Sequence, residues 1–393
     1  MLSVSEAQAL INNNLPAPRL EQAPLSSAVG RVIAENVFAD IDLPPFDKSA
    51  MDGYAVRAED LKTAPVELEL IETVLAGEVP KKIIRPGKTI KIMTGAKIPP
   101  GADAVVKRED TEEGPTTIRF LKPVSPGGNI CYLGEDLKKG DKIISAGSVL
   151  NAPDIGVLAM VGKYLLKVYS SPTTAIFSTG DELVDIKVKP RNSQIRNSNA
   201  YLLSSRLNQW GIPARQLGIA RDTAEELTAR IRPGLKADIL VITGGVSAGD
   251  TDLVEPVLKK LGVKIIFNAV AIKPGKPFVF GRKQNHLVFA LPGNPASAFV
   301  IMEVFIRPAL ASLTMNPTLL SPLRQARLTV PLTKASERQQ YVPAKYNESE
   351  GTIEPVRWHG SADLVAITQA NALIIIPPET IYQEDDLVSF IET

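Results

Sequence analysis

The stretch Asp238-Ile-Leu-Val-Ile-Thr-Gly-Gly-Val-Ser-Ala-Gly-Asp-Thr-Asp252 decides how the fold of this chain is interpreted. Its first half is a continuous apolar run, which is typical of a strand buried on both faces in a parallel sheet. Its second half is rich in glycine and leads into a helix predicted over 252–261. Glycines let backbone N–H groups approach an anion, and a helix N-terminus adds the positive end of a dipole. This half predicts a phosphate site, with an ordinary tight turn as the alternative, since it matches neither the dinucleotide fingerprint nor the Walker A spacing.

Strands and helices alternate on both sides of this stretch. Strands are predicted over 173–178, 214–219 and 286–291, and helices over 200–210, 223–235 and 294–313. The predicted fold class is therefore α/β, with a central doubly wound, mostly parallel sheet. Ligands of such sheets bind in the crevice outside the carboxyl ends of the strands.

Four segments follow these predicted strands and are expected to meet at one edge of the sheet. They are 178–182, 221–222, 243–252 and 291–297. In the last segment, Asn294 is expected to cap the next helix and Pro295 to occupy its first position. Capping does not account for Pro292-Gly293, which favours a rigid backbone wall that faces a ligand.

Charged side chains give a second signal near the same edge. Lys273 and Lys276 lie on a proline-stiffened segment, where two ammonium groups suit a multiply charged anion and a solvated turn is the alternative. Five carboxylates also fall near predicted strand ends: Asp181, Glu182, Asp222, Asp250 and Asp252. Carboxylates beside a phosphate site need a hard cation between them, and Mg²⁺ fits that requirement best. Helix capping is the alternative for any one of them.

The remaining sequence predicts additional modules around the α/β domain, which we place at 173–316. Residues 1–39 plus 148–172 predict a helical or linking module, with helices over 3–13 and 150–167. Residues 40–147 alternate apolar and polar positions between many turns and predict a β-rich module. Residues 317–393 predict five short strands, which favour a small C-terminal β-barrel.

The composition excludes several classes of protein. Lys and Arg number 44 and Asp and Glu 43, for a net charge of +1, which argues against binding nucleic acid mainly by non-specific electrostatics. The single cysteine, Cys131, rules out an internal disulfide, and two histidines make a histidine-based metal site unexpected. We find no secretory signal and no run of about 18 apolar residues, so we expect a cytoplasmic protein that binds neither nucleic acid nor membrane.

Seven motifs carry a resemblance to a known family. They are Pro44–Val56 (PPFDKSAMDGYAV), Ile92–Ala96 (IMTGA), Gly134–Asp136 (GED), Phe177–Leu183 (FSTGDEL), Thr243–Asp252, Ala271–Pro277 (AIKPGKP) and Leu291–Pro295 (LPGNP). In this order they resemble the molybdopterin molybdotransferases, which include the bacterial MoeA proteins and the C-terminal domain of gephyrin. The resemblance covers the whole chain.

The resemblance implies an activity and an assembly. It implies an elongated multidomain chain that forms a homodimer, inserts molybdate into adenylylated molybdopterin with Mg²⁺-assisted release of AMP, and yields molybdenum cofactor. It also implies that each active cleft combines the α/β domain of one subunit with the β-rich module of the other. Candidate protein partners are molybdopterin adenylyltransferase and molybdoenzyme chaperones.

The resemblance and the loops together give a set of candidate site residues. The catalytic positions are Asp52, Asp136, Glu182, Asp222, Asp252 and Lys273. Glu182, Asp222 and Asp252 would hold the metal, and Asp52 and Asp136 would come from the partner subunit. The positions that bind the molybdopterin substrate are Thr94, Ser178, Thr179, Gly180, Gly244, Gly245, Ser247, Gly249, Lys276, Pro292, Gly293, Asn294, Pro295 and Ser361.

Two positions depart from the family pattern, and two other functions are alternatives. Ala269 and Pro343 stand where relatives carry basic residues, so both remove positive charge from the expected anion site. One alternative is an inactive scaffold that keeps the fold, which these departures favour. The other is a molybdopterin adenylyltransferase, which residues 173–312 alone resemble and which would consume MgATP.

Overall fold

The computed structural model describes residues 1–246 and 253–393. These residues form two compact units. The first unit comprises Met1–Ala34, Gly147–Asn151 and Leu165–Thr393, and the second comprises Glu35–Ala146 and Ala152–Tyr164. The domain boundaries given above stay a prediction.

The first unit begins with helix α1 (Val4–Asn13) and strand β1 (Leu20–Pro24). The hydroxyl of Ser3 accepts a hydrogen bond from the N–H of Glu6, and the carboxylate of Glu6 accepts one from the N–H of Ser3. This capping box satisfies two N–H groups that the first turn leaves without partners. The predicted N-terminal helix is confirmed.

The second unit is rich in strands. Its elements are β2 (Val37–Phe38), β3 (Lys48–Ser49), β4 (Gly53–Val56), β5 (Val66–Val74), β6 (Lys88–Ile92), β7 (Ala104–Lys107), β8 (Thr111–Glu113), β9 (Thr117–Phe120), β10 (Ile130–Cys131), β11 (Lys142–Ile144) and α2 (Ala152–Met160). Six of the strands form one sheet in the order β7-β4-β6-β5-β9-β8. The helix predicted over 150–167 is wrong at its C-terminal end, because α2 ends at Met160 and Gly162, at a φ of +67°, turns the chain into a strand of the first unit.

The central part of the first unit holds the α/β sheet. Its elements are β12 (Leu165–Tyr169), β13 (Thr174–Thr179), β14 (Leu183–Val184), β15 (Ile195–Arg196), α3 (Asn199–Gln209), β16 (Ala214–Ala220), α4 (Ala224–Gly234), β17 (Ile239–Thr243), α5 (Val254–Lys260), β18 (Lys264–Ala269), β19 (Ile272–Lys273), β20 (Pro277–Lys283), β21 (His286–Leu291), α6 (Pro295–Ile301) and α7 (Arg307–Thr314). The sheet order is β16-β13-β17-β21-β20-β18, and the first four strands are parallel.

Alternate residues of the central strands point to opposite faces, and both faces are covered. In β17, Val241 belongs to one hydrophobic core and Ile242 to a second core across the sheet. Every residue of β13 and β17 is buried. The prediction of a doubly wound, mostly parallel sheet is confirmed.

The helix that follows β21 lies in the centre of this core. Among the described residues, Pro295–Thr314 is the one helix long and apolar enough to cross a membrane, and 83% of its most apolar stretch is buried inside the protein. A π-helical turn over Met302–Ile306 joins α6 to α7. Burial in the core accounts for its apolar composition.

The C-terminal part forms a closed barrel. Its elements are β22 (Arg324–Leu328), β23 (Gln339–Asn347), β24 (Thr352–Pro355), α8 (Leu364–Thr368), β25 (Ala372–Ile376) and β26 (Leu387–Glu392). The strand order is β23-β24-β22-β26-β25, and β25 pairs back with β23. The predicted barrel is confirmed. β19 from the α/β part adds to β23 in parallel, so a segment of the central domain is held on the barrel.

Candidate functional site

The loops at one edge of the central sheet form the candidate site. Because β16, β13, β17 and β21 are parallel neighbours, the loops that follow them lie at the same edge. β20 runs in the opposite direction, with Val279 opposite Ala290, so Lys276 just before its start also comes to this edge. The structure thus brings together the segments 178–182, 221–222, 243–246 and 291–297, which the sequence predicted as neighbours.

Glycines let these loops approach one another closely. Gly244 has a φ of +91°, and a Cβ added to it would lie 2.1 Å from the carbonyl oxygen of Thr179. A Cβ added to Gly293 would lie 3.7 Å from the Cα of Gly244, whose N–H donates to the carbonyl of Leu291 at 3.0 Å. Gly245 follows at a φ of +63°. Backbone atoms therefore line this part of the site, and since the N–H of Gly244 is already bonded, an anion would be bound by other N–H groups of these loops.

Asp222 is a carboxylate held in place at this edge. Its Oδ1 accepts a 2.5 Å hydrogen bond from Oγ1 of Thr179, a residue that is only 2% exposed. The N–H of Asp222 donates to Oδ1 of Asp181 at 3.4 Å, and Arg221 lies 3.9 Å from that same oxygen. Within residues 1–246 and 253–393, no group donates a hydrogen bond to Oδ2 of Asp222. A carboxylate with one oriented oxygen and one open oxygen suits a hard cation.

The metal site predicted from Glu182, Asp222 and Asp252 stays a prediction. Glu182 is exposed, and its Oε2 lies 2.6 Å from where a Cβ on Gly180 would be, so its carboxylate folds back over the loop. Asp252 lies outside the described residues, as do Ser247 and Gly249. In the part of the chain that the structure describes, no three His, Cys, Asp or Glu side chains are grouped as metal ligands. Three carboxylates are donors that fit Mg²⁺. Two of them, Glu182 and Asp222, lie at the same edge of the sheet.

The side chain of Ser178 is occupied within the protein. It is 0% exposed, its Oγ donates to Oδ1 of Asn197 at 2.8 Å, and it accepts from Oγ1 of Thr243 at 3.0 Å. The prediction that Ser178 binds the substrate stays a prediction, and its buried hydroxyl is already bonded within the protein, so any contact would come from its backbone. Ser178 instead joins β13 and β17 to the segment before α3.

Two asparagines that no sequence motif indicates also contact the site loops. Asn197 accepts the hydrogen bond from Ser178, and Nδ2 of Asn199 donates to the carbonyl of Gly293 at 2.8 Å. Both residues are buried. Their positions in the motif Ile195-Arg-Asn-Ser-Asn199 could have suggested a helix cap, but no local pattern indicates contacts with such distant loops.

Cationic side chains lie on or beside the segment that joins β18 to β20. Lys273 is half-buried and Lys276 is exposed, and neither forms an ion pair with a described residue. Nη1 of Arg338 donates to the carbonyl of Ile272 at 3.1 Å, which puts a third cation beside Lys273. Arg338 is half-buried and has no carboxylate partner among the residues that the structure covers. No pattern near the lysines indicates Arg338, because it reaches them from the barrel through the pairing of β19 with β23.

The loop after β21 is joined to the barrel at Ser361. Nδ2 of Asn294 donates to Oγ of Ser361 at 2.8 Å, and the carbonyl of Ser361 accepts from the N–H groups of Ala296 and Ser297 at 3.1 and 3.3 Å. Asn294 occupies the N-cap position of α6, as expected, but its side chain forms no capping hydrogen bond there and is turned to Ser361 instead. The prediction of Pro295 at the start of the helix is confirmed, and Ser361 lies beside this loop.

The motif residues of the second unit gather around β3. Both the N–H and the hydroxyl of Thr94 donate to Oδ1 of Asp52 at 2.7 Å, and these bonds hold the pKa of Asp52 below its ordinary value. Ser49 bonds through its backbone to Gly95 and Ala96 of the IMTGA motif. Strand β3 pairs with β10, which leads into the turn that carries Asp136. Motifs far apart in sequence therefore meet within this unit.

The two departures lie at defined places in the fold. Ala269 ends β18 opposite Pro277, at the same edge as the candidate site. Pro343 is buried in β23, where its partner is Leu373 of β25. Both are uncharged, so neither can bind an anion through a cationic side chain.

Comparisons with protein families match nearly the whole chain. Residues 2–162 match the MoeA N-terminal region (domain I and II), residues 175–312 match the probable molybdopterin binding domain, and residues 325–392 match the MoeA C-terminal region (domain IV). The matched regions occur in the order in which the motifs were found.

Known proteins and structures agree with the family match. The chain is 33% identical over 387 residues to the molybdopterin molybdenumtransferase of Staphylococcus aureus strain Mu50, covering 96% of this chain and 91% of that protein. It is 34% identical over 363 residues to the protein of the same name from Staphylococcus epidermidis strain ATCC 12228, covering 91% and 87%. A crystal structure of the molybdopterin biosynthesis MoeA protein from Pyrococcus horikosii is similar with a TM-score of 0.79 and 32% identity, covering 100% of this chain and 99% of that one.

Proposed function

Because the chain belongs to the molybdopterin molybdenumtransferase family, we propose that it inserts molybdate into adenylylated molybdopterin and releases AMP with the assistance of Mg²⁺. The observation that carries this proposal is the sheet edge at which the Gly244 and Gly293 loops, the oriented carboxylate of Asp222 and the exposed Lys276 meet. Such an edge combines N–H donors, a metal ligand and cations, which cleavage of a phosphoanhydride requires.

The glycine loops and the cations would bind the phosphates. Gly244 and Gly293 are neighbours without side chains, which leaves backbone at this part of the edge, and backbone N–H groups bind phosphate oxygens without reorganising. Lys273, Lys276 and Arg338 would add positive charge from the barrel side. Contacts with the phosphates would then position the dithiolene group of the molybdopterin substrate for reaction with the incoming molybdate.

Asp222, with Glu182 and Asp252, would hold the metal. Thr179 keeps Oδ1 of Asp222 in one orientation, so that Oδ2 is free to meet a cation. When bound, Mg²⁺ would neutralise the negative charge that develops as AMP leaves. The carboxylate of Glu182 is accessible to solvent and can order a water molecule or join the metal ligands.

The second unit would contribute Asp52, Thr94 and Asp136 to the site of a partner subunit. Thr94 keeps Asp52 ionised by donating two hydrogen bonds to one oxygen, which suits a group that interacts with a cation. A homodimer and a cytoplasmic location are parts of the same proposal. Light scattering of the purified protein and cell fractionation test them.

The main test measures AMP release from adenylylated molybdopterin by the purified protein. We expect release only when both molybdate and Mg²⁺ are present, and a fall of about a hundredfold in kcat/KM for Asp222→Asn. Asp385→Asn is the matched control, since Asp385 is exposed in a barrel turn at a φ of +69° that asparagine accepts. AMP release without molybdate, or an Asp222→Asn variant as active as the control, would contradict the proposal.

The same assay separates the two alternatives. An adenylyltransferase would consume MgATP, and the two regions that flank the probable molybdopterin binding domain favour the molybdenumtransferase instead. An inactive scaffold would bind the substrate but release no AMP.

A further inference from the structure

We infer that Asn197 and Asn199 form a buried brace that holds three loops of the candidate site in their working positions. This inference rests on the proposed function, because it assigns the brace to that reaction. Neither residue is placed in contact with the substrate. Both are therefore positioning residues, which act through the loops that they hold.

Asn197 joins the first loop to two strands of the sheet. Its Oδ1 accepts from Oγ of Ser178 at 2.8 Å, and Ser178 in turn accepts from Oγ1 of Thr243 at 3.0 Å. Its N–H donates to the carbonyl of Val184 at 3.0 Å, two residues after Glu182. One asparagine thus connects the Glu182 loop to the ends of β13 and β17. All three side chains of this chain of hydrogen bonds are at most 6% exposed.

Asn199 holds the loop after β21. Its Nδ2 donates to the carbonyl of Gly293 at 2.8 Å, and a Cβ added to Gly293 would lie 3.7 Å from the Cα of Gly244, so the two glycine loops are neighbours. The hydrogen bond to the carbonyl of Gly293 therefore influences the positions of both the Gly293 loop and the Gly244 loop. Since Asn199 lies at the first turn of α3, the helix provides a rigid base for the contact.

The side-chain oxygen of Asn199 has no hydrogen-bond partner in the part of the chain that the structure describes. Oδ1 of Asn199 is buried and, within the described residues, accepts no hydrogen bond. An unpaired buried acceptor is destabilising, and an apolar side chain at this position would avoid it. The amide that carries this cost is the one that donates to Gly293, so we assign it a positional role at the loop rather than a role in stability.

Hydrogen exchange tests the positional part without reference to the reaction. In Asn199→Ala, we expect the amides of Gly244 and Ala296 to exchange about tenfold faster, because the Gly293 loop loses its anchor. The amides of the barrel strands should exchange at the wild-type rate. Asn208→Ala is the matched control, since Asn208 is exposed at the other end of α3. Should Asn199→Ala fold poorly, Asn199→Ser replaces it, because serine is too short to reach Gly293.

Steady-state kinetics test the connection to the reaction. We expect Asn199→Ala to raise the KM for adenylylated molybdopterin about tenfold, whereas a smaller folded fraction would lower kcat and leave KM unchanged. Unchanged exchange at Gly244 and Ala296 would overturn the brace, as would a KM equal to that of Asn208→Ala. If the wild-type protein released no AMP, the proposed function would fail, and faster exchange in the variant would still support the positional role.

Discussion

The hydroxyl of Thr179 is the group on which the orientation of Asp222 depends. Substituting Thr179→Val removes the 2.5 Å hydrogen bond and preserves the shape of the side chain. We expect the Mg²⁺ concentration for half-maximal AMP release to rise about tenfold, because groups that orient a metal ligand typically contribute that much. A titration of activity with Mg²⁺ measures the effect.

The same strand offers a control for this substitution. Thr174 is 4% exposed, and its Oγ1 is buried without a partner in the described chain, so Thr174→Val removes a hydroxyl that bonds to nothing there. It should leave the Mg²⁺ dependence unchanged. Equal Mg²⁺ dependence in the two variants would show that Thr179 does not orient a metal ligand.

Among the elements, the pairing of β19 with β23 delivers Arg338 to the lysine segment. Arg338→Gln removes a cation that no described carboxylate neutralises. We expect the KM for adenylylated molybdopterin to rise about tenfold at low salt, since hydrogen bonds from charged donors are worth roughly that factor or more. The difference should shrink as salt screens the charge.

Arg327→Gln is the matched control for Arg338→Gln. Arg327 is an exposed arginine on β22 of the same barrel, without an ion pair in the described residues. A change in KM that is the same in both variants, or one that does not depend on salt, would exclude Arg338 from substrate binding.

The elements also show what the sequence could predict. The parallel strands were predictable because a continuous apolar run between two helices fits a strand buried on both faces, and the edge rule then located the loops. β18 and β20 were missed because their apolar residues are interrupted, as at Gly281, and their pairing with β21 makes them strands. The contacts of Ser178 and Asn199 were missed because only tertiary packing decides which buried polar groups meet.

At the scale of the whole molecule, each compact unit gathers its own motifs. In the second unit, β3 joins the motifs that begin at Pro44, Ile92 and Gly134, although each one alone predicts only a turn or a short strand. The resemblance supplied this grouping, because seven motifs in a fixed order are far more specific than any spacing among them.

The second unit contains a cluster of charged side chains from which the effect of low pH on the stability of this unit can be predicted. The carboxylate of Glu113 accepts from the hydroxyl of Tyr54 at 2.7 Å and from Nζ of Lys91 at 3.0 Å, and Nε of Arg108 lies 3.0 Å away. These contacts, the tyrosine bond first, lower the pKa of Glu113 from 4.5 to about 2. Because the folded pKa is the lower one, the stabilisation is complete above pH 4.5 and is lost as the pH falls towards 2.

Glu113→Gln should therefore destabilise the second unit at neutral pH and have progressively less effect below pH 4.5. Amide exchange of β4 and β9 in urea, compared at pH 6 and at about pH 3, measures the difference between variant and wild type within this unit. Glu109→Gln is the control, since Glu109 is exposed and has no partner among the described residues. If Glu113→Gln lost the same amount of amide protection at both pH values, the shape of the side chain alone would matter at position 113. A loss of protection that becomes smaller in acid would show that the charge of Glu113 stabilises this side of the sheet through its contacts with Tyr54, Lys91 and Arg108.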